Sequence, residues 1–142
     1  MSRRPAMVPE LMVTDCAASL AFWCGPCGFR VLYDRPEEGF ACIGRDGARV
    51  MLDELPKGRA HRWEAAPAEP PFGRHVNFEI AVGDVAPILA ALEAARWPLF
   101  AAPETKTYRV GGAGVTVRQF LVQDPDGYLL RFSQRLDGKT VC

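Results

Sequence analysis

Trp23-Cys24-Gly25-Pro26-Cys27 sets two thiols three residues apart around a Gly-Pro pair, the spacing of a dithiol redox centre. Such a pair exchanges electrons when its first thiol sits at a helix N-terminus, where free N–H groups and the helix dipole lower its pKa. Here the order is reversed. A helix-like stretch precedes the pair, Pro26 and Gly28 stop it, and the strand-like "FRVLYDR" follows. Cys24 is therefore expected at the negative end of the dipole, where a thiolate is disfavoured. Cys16, Leu20, Trp23, Cys24 and Cys27 fall on one helical stripe, so the thiols read as small core hydrophobes. Redox chemistry through Cys24 and Cys27 is the weakest of three functional readings.

Other chemistries fare no better from motifs alone. Five cysteines (16, 24, 27, 42, 142) are too scattered for a disulfide framework, and a zinc ribbon lacks its second Cys pair. His61 and His75 are the imidazoles. Gly111-Gly112-Ala113-Gly114 reads as a hairpin tip, because a phosphate cradle needs a helix after it.

The chain has 142 residues, enough for one domain with a sizeable core. Lys+Arg and Asp+Glu balance at 17 each, so the basic excess of a nucleic-acid binder is missing. No apolar run approaches a membrane span, and "MSRRPAMVPELMV" has no apolar signal core, which makes the cytoplasm the expected location. Heavy use of Ala, Arg and Pro is compatible with a bacterial source.

Periodicity predicts strand, helix, three strands, a loop, then the same series again. "PELMV" (9–13) alternates ahead of Asp15, a helix-capping residue. Strands are expected at 29–35, 40–44 and 48–53, the last two joined by Arg45-Asp46-Gly47. The Pro-rich 54–74 reads as a linker. A strand at 75–82, a cap at Asp84 and a helix burying Val85, Ile88, Leu89 and Leu92 follow, with Trp97 covering core at its end. Strands at 107–110, 115–123 and 128–134 complete the count, the last pair turning at Asp124-Pro125-Asp126-Gly127. "MVTD" (12–15) recurs as "AVGD" (81–84), and "RDGARVML" (45–52) as "PDGYLLRF" (125–132). The reading is one α+β domain: module one 7–53, linker 54–74, module two 75–135 and a tail 136–142, each module a βαβββ unit.

With these elements placed, "PELMVTDCAASLAFWCGPCGFRVLYDR", "VNFEIAVGDV" and "RQFLVQDPDGYLLRFSQ" together resemble the vicinal oxygen chelate superfamily. That superfamily includes glyoxalase I, extradiol dioxygenases, and fosfomycin and bleomycin resistance proteins. "FLVQDPDGYLLRF" looks most like the bleomycin-resistance branch. The resemblance implies that the modules curl their mixed sheets into a cup with helices outside, that two copies form a homodimer, and that the site lies in the cup. Metal-dependent relatives place ligands on the first and last strand of each module, which here fall on Val8, Met51, Asn77 and Arg131. This set is not expected to hold a divalent ion: Val and Met offer no hard donor, Asn is weak, and a guanidinium repels it.

Strand alternation then turns Glu10, Met12, His75, Asn77, Glu79, Arg49, Met51, Asp53, Leu129, Arg131 and Ser133 toward the cup. The expected ligand-contacting residues are Glu10, Met51, Trp63, His75, Asn77, Glu79, Phe120 and Arg131. Glu10 and Glu79 would supply charge, Trp63 and Phe120 stacking surface, and Arg131 orientation of the ligand or a partner for the carboxylates. Trp63 reads equally as a loop anchor, Tyr108 and Phe120 also as packing, and the charges also as a wet, self-paired cleft. The leading function is sequestration of an aromatic or cationic small molecule, as in antibiotic resistance, with no cofactor, metal or catalytic residue. The alternative is a lyase- or dioxygenase-type metalloenzyme with displaced ligands His75, Glu10 and Glu79.

Overall fold

The computed structural model describes residues 4–56, 67 and 69–137. Trp63, His61 and Cys142 lie outside the described residues. Two compact units divide the chain: residues 1–72 with 124–127, and residues 73–123 with 128–142.

In the first unit, β1 (Glu10–Val13) runs into α1 (Cys16–Cys24), then β2 (Arg30–Arg35), a 3-10 turn (Pro36–Glu38), β3 (Phe40–Arg45) and β4 (Ala48–Glu54). Asp15 caps α1 as expected, its carboxylate accepting from the backbone N–H groups of Ala17 and Ala18. The four-stranded sheet has the order β1-β4-β3-β2, with β1 parallel to β4 and the other pairs antiparallel. Leu11, Val13, Val50 and Leu52 alternate into the core, where Phe22, Trp23, Cys27 and Phe29 join them. The buried stripe of α1 differs from the expected one. Ser19 and Phe22 are buried, while Leu20 and Cys24 are half-buried. The helix ends at Cys24, so Cys27 reaches the core from the turn that follows rather than from the stripe.

The turn 124–127 belongs to this first unit. Asp124 and Asp126 are buried there, each as a hydrogen-bond acceptor. Trp23 Nε1 donates to Asp124 Oδ2 at 3.1 Å, and Thr14 Oγ1 donates to Asp126 Oδ1 at 2.7 Å. Phe72 N donates to Asp126 O at 2.9 Å.

The second unit repeats the plan with β5 (Asn77–Ala81), α2 (Ala86–Ala94), β6 (Ala101–Val110), β7 (Ala113–Gln123) and β8 (Leu129–Arg135). Its sheet order is β5-β8-β7-β6, again with one parallel pair, β5/β8. The register repeats too: Glu10 lies opposite Met51 in one sheet and Glu79 opposite Arg131 in the other. Ile80, Val82, Val85, Ile88 and Leu92 pack with Phe120, Leu130 and Phe132; Leu89 is half-buried. Trp97 is half-buried, and its Nε1 donates to Gln123 O at 2.8 Å.

β6 begins at Ala101, well before the expected 107. Pro103 hides this extension in the sequence, since a proline argues against an interior strand. β6 is an edge strand, and the register slips between Ala101 and Glu104, which accommodates it. Among the described residues no helix is long and apolar enough to cross a membrane.

Candidate functional site

One face of the second sheet carries a connected polar cluster. Asn77 and Glu79 are exposed on β5, while Phe78 and Ile80 turn toward the core, the split that alternation predicts. On β8, Arg131 stands opposite Glu79. Its guanidinium is held at all three nitrogens: Nε donates to Asn77 Oδ1 at 3.2 Å, NH1 to Gln119 Oε1 at 3.2 Å, and NH2 pairs with Glu79 Oε2 at 2.7 Å. Gln119 is itself fixed. Only 3% exposed, it donates through Nε2 to Tyr108 Oη at 2.6 Å and to Glu104 Oε1 at 3.1 Å. A buried amide with its donors and acceptor all used locks the side chain in one orientation, and through it the arginine. Lys106 Nζ lies 5.0 Å from the Tyr108 ring centre, extending the cluster along the edge strand.

The donor set at the positions implied for a metal can be set against what a divalent ion needs. At the second-unit positions where the resemblance implies metal ligands, Asn77 offers an amide oxygen already accepting from Arg131, and Arg131 itself is a fixed cation. In the first unit, Val8 and Met51 occupy the corresponding positions; Met51 N donates to Pro9 O at 2.8 Å, so the pair is close along the sheet. Neither offers an oxygen or nitrogen side-chain ligand. The residues do not fit a divalent ion. Nor, among the described residues, do any three His, Cys, Asp or Glu side chains gather closely enough to hold one.

Two expected site residues are placed otherwise. Phe120 is wholly buried, its ring stacked on Phe132 with centroids 5.5 Å apart. It faces the core, because Gln119 and Leu121 take the opposite face of β7, and it offers no stacking surface to a ligand. His75 is exposed at φ +66° in the turn before β5, where Val76 N donates to Gly73 O. The strand starts at Asn77, so alternation does not reach His75, and Val76 is exposed rather than packed. Trp63 lies outside the described residues. Gln119, Glu104 and Tyr108 were not singled out as site residues. The alternation Val115-Val117-Gln119-Leu121 contains the signal for Gln119: a polar residue interrupting an otherwise apolar face.

The first unit holds a different feature, a cavity of about 480 Å³. Asp15, Asp34, Glu37, Glu38 and Glu54 line it together with the apolar Leu20, Phe40 and Leu55. Some of this charge is engaged: Glu54 Oε2 accepts from Cys16 N at 2.9 Å, and Glu38 pairs with Arg35. Glu10, Met12 and Met51 lie on the other face of this sheet, away from the buried Leu11, Val13 and Leu52.

Of the pentapeptide's thiols, Cys24 ends a helix and Cys27 follows it; neither lies at a helix N-terminus. Burial pushes the Cys24 thiol above its ordinary range and the Cys27 thiol up to about 12, against a partial opposing pull from Arg45. At pH 7 Cys27 is then held as the thiol, and the thiolate is the nucleophilic form. Mapping iodoacetamide adducts on the native protein at neutral pH should find Cys27 unmodified, and urea should expose it. Fast native labelling of Cys27 would contradict this placement.

The sequence profile described as the Glyoxalase/Bleomycin resistance protein/Dioxygenase superfamily matches residues 6–132. Among solved structures, TioX from Micromonospora sp. ML1 is 27% identical, with a TM-score of 0.66, over 92% of this chain and 98% of that one. A virulence protein from Salmonella typhimurium shares the fold at 16% identity and TM-score 0.66, over 96% and 100% of the two chains. A glyoxalase/bleomycin resistance protein/dioxygenase superfamily member from Vibrio splendidus 12B01 is 36% identical over 89% and 95%, with a TM-score of 0.41. None of the curated proteins compared with the chain matches it. With the profile spanning both modules and the sheet order repeated in each, the chain belongs to the glyoxalase/bleomycin resistance protein/dioxygenase superfamily.

Proposed function

We propose that this chain is a metal-independent binding protein of bleomycin-resistance type, which sequesters a cationic or aromatic small molecule and does not transform it. The homodimer implied by the resemblance is part of this reading. The observation that carries it is the clamped guanidinium of Arg131, tied to Asn77, Gln119 and Glu79. A fixed positive charge stands where metal-dependent relatives would place a ligand, and a guanidinium has no lone pair to give. Without the ion, this position supplies no Lewis acid to polarise a substrate oxygen.

The preference for a cation is supported by the acidic cavity of the first unit. Its volume of about 480 Å³ is in the range of small-molecule sites, and apolar walls beside carboxylates suit an amphipathic amine. Glu79 contributes less charge than the sequence implies, because Arg131 already neutralises it.

Isothermal titration of bleomycin into protein dialysed against a chelator tests the reading, with elemental analysis of protein purified without one. Saturable binding that survives the chelator is expected. The double variant Asp34→Asn/Glu37→Gln should weaken it about tenfold, or about 1.4 kcal/mol. A stoichiometric divalent ion in the purified protein would overturn the metal-independent part. Native mass spectrometry showing a neutral or anionic co-purified ligand would overturn the cationic part.

A further inference from the structure

We infer that the first unit carries a separate site for a small oxyanion, a phosphoryl or carboxylate group, held between Arg30 and Arg49 across Gly44. The strand register carries this. Arg30 on β2 and Arg49 on β4 are both direct partners of Gly44 on the intervening β3. Directly opposed residues on neighbouring strands project to the same face, so two guanidiniums flank a position that has no side chain. Their Cα atoms are about 10 Å apart from two strand spacings, within reach of one shared anion for side chains of this length.

Two like charges set in one row repel unless something neutralises them. Among the described residues neither Arg30 nor Arg49 has a carboxylate partner. The neighbouring Arg45 points its NH1 at Cys27 O, 2.8 Å away, and its Nε is buried without a hydrogen-bond acceptor. Asp46, the carboxylate nearby, is exposed and only loosely paired with Arg45, at 3.7 Å. Asp46 thus pairs loosely with Arg45 and, among the described residues, with neither Arg30 nor Arg49.

A pocket of about 90 Å³ lies over this row, lined by Arg30, Leu32, Gly44 and Arg49 with the turn 45–48. That is about three water volumes, enough for an anionic head group and too small for a drug-sized molecule. Leu32 forms one apolar wall. It is the extra residue of a bulge, skipped in the pairing between Val31 and Tyr33, and its Cδ1 would lie 2.9 Å from a Cβ added at Gly44. A side chain at this position would push Leu32 aside and fill the gap between the arginines, which glycine leaves open. Guanidiniums are suited to this task, since their planar forks match the oxygens of phosphate and carboxylate.

The test follows the side-chain Nε–H resonances of arginine in ¹⁵N-labelled full-length protein during titration with inorganic phosphate and, separately, acetate. Ionic strength is held constant with chloride, so that general screening is subtracted. Saturable shifts of the Arg30 and Arg49 signals with at least one anion are expected. Thermal unfolding of the same samples should show a rise in midpoint with that anion, lost in Arg30→Gln/Arg49→Gln. Response to phosphate alone assigns a phosphoryl ligand, and response to acetate alone a carboxylate. Signals that follow chloride and both anions alike overturn the site, as does a midpoint rise that persists in the double variant. Because both arginines are at the surface or half-buried, the variant is expected to fold, and its circular dichroism spectrum checks this.

Discussion

Replacing Trp23 by alanine should cost the first unit about 4 kcal/mol, the range for deleting a large buried aromatic. Trp23 has no exposed surface, packs edge-on against Phe29 at 5.1 Å, and donates its indole N–H to the buried Asp124. Its removal takes away dispersion contacts, buried apolar area and one hydrogen bond at once. Trp23→Phe separates these. It keeps most of the ring packing but removes the N–H from Asp124, and a loss of about 1–2 kcal/mol is expected. Urea unfolding followed by far-ultraviolet circular dichroism measures both, since this readout does not depend on Trp23 itself, while Trp63 and Trp97 remain in either variant. A Trp23→Ala cost below about 2 kcal/mol would show that this core is not built on the ring. The prediction also explains the pentapeptide. Its tryptophan is a core anchor and Cys27 a buried neighbour, so the redox spacing arises from packing demands at the end of a helix.

Which parts were legible in the sequence follows from the kind of signal each leaves. Asp15 is readable as a cap because the capping bond is local, two and three residues away. The sheet faces at Leu11/Val13 and Ile80/Val82 follow from a period of two and a buried side. The repeat was legible from paired turns, and Gly47 and Gly127 indeed share nearly the same backbone angle, φ +89° and +91°. The polar cluster was only half legible. Asn77, Glu79 and Arg131 lie on strands whose alternation is clean, whereas Glu104 and Tyr108 lie on β6, whose bulge and proline obscure its phase. Gln119 was hidden for another reason. Its role depends on which partners reach it, 11, 12 and 15 residues away along the chain, and periodicity carries no information on that. Of the two roles the sequence leaves open for Phe120, packing is the one observed, and His75 precedes the strand whose alternation would turn it toward the cup.

The two modules also provide an internal control for a backbone effect. Gly47 and Gly127 close equivalent turns at positive φ, where any L-residue is strained. A Cβ on Gly47 would meet nothing within 4 Å, so Gly47→Ala should cost only the conformational strain, about 1 kcal/mol. A Cβ on Gly127 would lie 2.5 Å from Pro71 Cβ and 2.6 Å from Pro71 Cα, which no side-chain rotation can relieve. The backbone around Pro71 must then retreat, pulling on the Phe72 N–H that donates to Asp126 O and on the buried Phe72 ring. Gly127→Ala is therefore expected to cost about 3 kcal/mol, strain and displacement together. Measured side by side in urea, the two substitutions differ in neighbours and hardly in backbone angle. A gap of about 2 kcal/mol reads the close approach directly, and equal costs would mean that the segment at Pro71 yields freely.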